Sequence, residues 1–134
     1  MRQLTLVGHK PGREGDQDLL ATGRRASAAD RLRLMLRLTV EEFNSLSRIN
    51  VYDRARGEQI LPLLSGGVIV MGREAWSCLG LPRLAFYRTV ATPRAELLLV
   101  PHPSGRNRMY NARSERIRAA HAMRGLRSKY QEVT

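Results

Sequence analysis

The stretch 97–107, LLLVPHPSGRN, constrains the fold more than any other part of the chain. An apolar run that stops abruptly at Pro-His-Pro-Ser-Gly reads as a buried strand delivering a rigid polar loop. Pro101 and Pro103 fix the backbone on both sides of His102, which holds the imidazole in place. Gly105 permits close backbone approach or a positive φ, and Arg106, Asn107 and Arg108 offer donors suited to an anion. The same residues also describe a plain surface loop with a proline-framed histidine. An earlier apolar run, 4–7, ends in Gly8-His9-Lys10-Pro11-Gly12, a second Gly/Pro loop at the carboxyl end of a strand. Ligand sites of open α/β sheets lie outside such ends, so the two loops can face one crevice.

Between these loops the pattern alternates. Ser27-Ala-Ala-Asp30 resembles a capping box with Asp in place of the usual Glu, and predicts a helix to about residue 38 with Leu32, Met35 and Leu36 as its apolar stripe. Thr39-Val-Glu-Glu42 is a better box and opens a short helix with Phe43 and Leu46 facing inward. Residues 47–52 read as a second strand, 59–64 as a short helix with Pro62 in its first turn, and 68–71 as a third strand entered from Gly66-Gly67 and broken by Gly72. A brief helix over 73–79 is ended by Gly80 and Pro82, residues 84–93 carry no assignable pattern, and 95–100 form the fourth strand. From about 111 to 130 the spacing is helical, with Ile117, Ala120, Met123, Leu126 and Tyr130 on the inner face and Arg113, Arg116, Arg124 and Arg127 on a basic one. That basic face fits either a solvated helix surface or contacts to a DNA backbone. Strands alternating with helices predict an α/β fold, a three-layer α/β/α sandwich around a central four-stranded parallel sheet. A length of 134 residues with 43% hydrophobic content fits one domain over 1–134.

Charge narrows the partner. The formal net charge is +11, and Lys10 and Lys129 are the only lysines among 23 basic residues. A GC-rich genome would also enrich arginine, which is spread along the whole chain, but the balance of charge is strongly positive. That favours a polyanion, whose counterions are released on binding. DNA, duplex or single-stranded, is therefore the expected partner of a monomeric protein. The first Gly-rich loop is neither GxGxxG nor GxxxxGK[ST], so dinucleotide and P-loop chemistry lack their phosphate cradle. No apolar run is long enough to span a bilayer and no secretory pattern opens the chain, so a cytoplasmic protein is expected. The single Cys78 excludes an internal disulfide or a cysteine cluster and reads as a buried structural thiol. Neither metal nor cofactor is expected.

GHKPG after the first strand together with HPSG after the last resembles the uracil-DNA glycosylase superfamily, whose members pair a Gly-x-x-Pro loop with a His-Pro-Ser or Asn-Pro-Ser loop. SRINVYD is similar to that family's second strand with its internal Asn, and GGVIVMGREAW to its third strand leading into a helix. The short length and HPSGRN look most like small phage or bacterial members. The resemblance implies an α/β/α sandwich and base excision: a flipped uracil or 5-substituted pyrimidine loses its N-glycosidic bond. It places His102 against the base that leaves as an anion, and gives Asn50 the base's polar edge, which an amide can read as donor and acceptor. A strand-end Asn serves equally well to satisfy neighbouring backbone. Gly8, Lys10, Pro11 and Gly12 would line the base site, while Ser104, Gly105, Arg106, Asn107, Arg108, Arg113 and Arg116 would meet DNA.

Departures from the family matter as much. Where its first loop carries a carboxylate or Asn that places water, this chain has His9 and Lys10. A protonated lysine cannot act as a base, whereas a neutral His9 can. Leu19 and Leu20 stand near the place of the family's stacking aromatic, and Arg106 replaces its Leu wedge. Gly12 stands where strict uracil enzymes carry Tyr, leaving room for a 5-methyl group. Two expectations follow: a glycosylase using His102 and His9, or a catalytically silent relative that recognises or shields a modified base.

Overall fold

Near-continuous apolar runs mark strands buried on both faces, and those around Leu6, Ile69 and Leu98 form the centre of one sheet. The computed structural model describes residues 4–9, 28–103 and 112–130. In chain order these give β1 (Leu4–Gly8), α1 (Ala28–Leu36), α2 (Val40–Asn44), β2 (Ser47–Asn50), α3 (Arg54–Ile60), a 3-10 turn (Leu61–Leu63), β3 (Gly66–Met71), α4 (Arg73–Cys78), β4 (Thr89–Ala91), β5 (Ala95–Val100) and α5 (Arg113–Tyr130). The sheet order is β2-β1-β3-β5-β4. All neighbours run parallel except β4, which pairs antiparallel with β5.

The sheet therefore has five strands, one more than the sequence predicts. The addition comes from the stretch without an assignable pattern. β4 is only three residues long, with Val90 opposite Leu97, so it is too short to show alternation. Its entry depends on Tyr87, whose φ of 69° lets its N–H donate to the Leu99 carbonyl at 2.7 Å.

Alternate residues of each strand face opposite layers. Leu4, Leu6, Ile69, Met71, Leu98 and Val100 pack under α1, α2 and α5, while Val7, Val68, Val70, Leu97 and Leu99 pack under α3 and α4. This is the expected three-layer arrangement. Cys78 is half-buried against the second layer, less enclosed than expected. There Gly57 allows α3 to touch α4: an added Cβ would fall 1.7 Å from the Cys78 carbonyl oxygen.

Local chemistry explains most boundaries. The Thr39 box closes reciprocally, Glu42 N–H donating to Thr39 Oγ1 at 3.1 Å and Thr39 N–H to Glu42 Oε1 at 2.9 Å. Those bonds hold the Glu42 carboxyl below its ordinary range. Ser27 lies outside the described residues. β2 stops at Asn50, not 52, because the chain turns into Asp53, which caps α3 by accepting from Arg56 N–H at 2.8 Å. That cap also starts α3 earlier than the predicted residue 59. On α5, Ala119, Ala120, Met123 and Leu126 are buried, but Ile117 is 57% exposed. At 100° per residue it lies about 120° around the helix from Met123, outside the stripe. Among the described residues, no helix is long and apolar enough to cross a membrane.

Candidate active site

Parallel strands bring their carboxyl ends to one edge of the sheet. Register places Gly8 beside Asn50, and Met71 beside Val100. Val51 N–H donates to the Gly8 carbonyl at 2.9 Å, and Gly72 N–H to the Val100 carbonyl at 2.8 Å, so the chain leaves all four strands at nearly one level. After β1 it passes to α1 and α2 on one face; after β3 it passes to α4 on the other. The crevice between β1 and β3 is thus the topological switch point, where open α/β sheets bind ligands.

The polar side chains converge there. His9, just past β1, has Nδ1 3.0 Å from Glu74 Oε2, on the first turn of α4. His102, just past β5, is half-buried between the buried Pro101 and Pro103. A Cβ on Gly72 would sit 3.5 Å from His102 Cβ, and the φ of +94° at Gly72 favours glycine in any case. Burial lowers the His102 pKa below the ordinary imidazole value of 6.5, Glu74 opposes the shift, and His9 adds to it. The two histidines and Glu74 therefore share one electrostatic neighbourhood. Asn50 completes the floor: its Oδ1 lies 3.1 Å from where a Gly8 side chain would begin. Gly8 is required here for close approach by an amide and not for an unusual φ.

Of the residues predicted from sequence, His9, His102, Gly8 and Asn50 meet at this edge. Lys10, Pro11, Gly12, Ser104, Gly105, Arg106, Asn107 and Arg108 lie outside the described residues. Arg113 and Arg116 are exposed at the start of α5. This is the same end of the molecule, because the other end of α5 packs Tyr130 on Gly67, at the beginning of β3. The remaining arginines of the basic face do something else. Arg124 Nε donates to the Met35 carbonyl at 2.7 Å and Arg127 Nη1 to the Leu36 carbonyl at 3.2 Å, so they satisfy the last turn of α1.

Glu74 is the site residue that sequence reasoning missed. Its signal was weak: one acid in the first turn of a short helix, a position that helix electrostatics alone would favour. Its neighbour Arg73 is structural, donating to the Leu84 carbonyl at 2.6 Å and stacking on the Phe86 ring at 4.2 Å. A groove of about 730 Å³ between α1 and α5 is lined by Leu34, Met35, Ile117 and several arginines. Its chemistry is cationic and apolar, and it lacks the paired imidazoles and carboxylate of the strand ends. No described group of three or more His, Cys, Asp or Glu residues is arranged to hold a metal.

Compared with models of known protein families and with curated proteins, the chain matches none.

Proposed function

We propose that this protein binds DNA, flips a base from the duplex and cleaves the N-glycosidic bond of uracil or a 5-substituted pyrimidine. The observation that carries this reading is the meeting of His9, Glu74, His102 and Asn50 at the carboxyl edge of the sheet. Glycosidic cleavage leaves negative charge on the departing base and positive character on the sugar, so it needs a donor near the base oxygen and a placed water. Burial disfavours the charged form of His102, and a neutral imidazole carries an N–H that can donate to a base oxygen. Asn50 supplies an amide with both hydrogen-bonding senses to read a base edge. Arg113 and Arg116 at the same end, with a net charge of +11, suit a phosphate backbone.

The direct test is strand nicking by alkali after incubation with duplexes containing uracil, a thymine mismatch or 5-hydroxymethyluracil. Base release that disappears in His102→Ala supports excision. Tight, salt-dependent binding without release moves the protein to the second reading, a silent relative that shields a modified base. That alternative is favoured by the absence of a carboxylate from the first loop, where His9 and Lys10 stand. DNA affinity with no salt dependence would remove both readings.

A further inference from the structure

We propose that Glu74 and His9 form a carboxylate–imidazole pair that activates the attacking water, with Glu74 as the positioning residue and His9 as the base. This rests on the base-excision reading and supplies, from the third strand's exit, the carboxylate that the first loop lacks. Glu74 Oε2 lies 3.0 Å from His9 Nδ1, so the carboxylate holds the ring proton on Nδ1 and leaves the Nε2 lone pair available. The bond spans the switch point between β1 and β3, the position where a ligand would enter.

Exposure separates the two roles. The Glu74 side chain is 79% exposed and that of His9 only 24%, so the carboxylate stands at the rim and the imidazole reaches inward. An exposed ion pair adds little stability, which makes a fold-maintaining role a poor account of the contact. Orientation of the ring and choice of tautomer do not need burial of the carboxylate. His102 faces the same pair but serves the base: as the C1′–N bond breaks, its electron pair leaves with the pyrimidine. Water oxygen bonds to C1′, and the water's proton passes to His9 Nε2. Atoms and charge balance without a metal or redox partner, and the product sugar carries a hydroxyl at C1′.

Two measurements on the full chain test this. Nitrogen-15 NMR of the neutral His9 ring, assigned with His9→Gln, should show the proton on Nδ1 in the unaltered protein and a shift toward Nε2 in Glu74→Ala. Single-turnover excision from a uracil duplex should fall about 10- to 100-fold in Glu74→Ala, less than the 10²- to 10⁴-fold worth of a complete general base, with Kd for DNA unchanged. Glu74→Gln, which keeps an acceptor oxygen, should retain the Nδ1–H tautomer and lose less activity. An Nε2–H tautomer in the unaltered protein, or excision indifferent to Glu74→Ala, overturns the pair while leaving base excision standing. No excision by the unaltered protein on any pyrimidine lesion tried overturns both.

Discussion

The two ends of the sheet use charge in opposite ways. At the amino end, Lys129 Nζ and Tyr130 Oη reach Glu96 at 3.4 and 3.0 Å, and nearby Arg124 and Arg127 bind the carbonyls that end α1. Those cations and carboxylates hold α5 to β5 and to α1. At the carboxyl end, the described polar groups face one another across a crevice: His9 with Glu74, His102 near both, and Asn50 over Gly8. A charged side chain answering a helix terminus contributes to folding, whereas the imidazoles and amide at the other end converge where strand connections diverge, the place at which open α/β sheets bind ligands. Arginine alone therefore does not mark a binding face; its carbonyl partners must be found first.

The largest expected effect is at the carboxyl end. His102→Ala should reduce base excision about 100- to 1,000-fold, as loss of one well-placed donor to a developing anion does, with little change in Tm. Single-turnover rates and a melting curve measure both, and equal damage to fold and rate would erase the contrast between the ends.

At the other end the balance should reverse. Arg124→Ala leaves the Met35 carbonyl without its charged donor and should destabilise the protein by about 1–3 kcal/mol in urea unfolding, while DNA affinity stays within about twofold. A loss of affinity without a loss of stability would return Arg124 to the binding face.

Arg113 and Arg116 offer a smaller and purely electrostatic measurement. Each change to Ala should reduce the steepness of log Kd against log salt by about 0.9 for duplex DNA if it removes one phosphate contact. Tm should not move. An unchanged slope would remove Arg113 and Arg116 from the proposed phosphate contacts.

The smallest effect is on the pH dependence of stability. His102 has a folded pKa below the ordinary 6.5, so between those values the unfolded chain binds more protons than the folded one. Its contribution is fully present above 6.5 and is lost as pH falls toward the folded value. Tm should therefore decline below neutrality, less steeply in His102→Asn, and a Tm that rises on acidification in the unaltered protein relative to His102→Asn would contradict the assigned burial.

Much of this was legible one segment at a time. The apolar runs around Leu6, Ile69 and Leu98, the Thr39–Glu42 box, the stop at Gly72 and the proline frame of His102 all depend on interactions within a few residues, and local pattern encodes those directly. The α/β/α layering followed from their alternation. Tertiary structure decided the rest: β4 as a fifth strand, the exposure of Ile117, the use of Arg124 and Arg127 on α1 carbonyls, and the contact of Glu74 with His9. Each of these depends on which elements become neighbours. Strand order and the direction of each crossover set that, and hydrophobic periodicity, which repeats every two or 3.6 residues, carries no information about either.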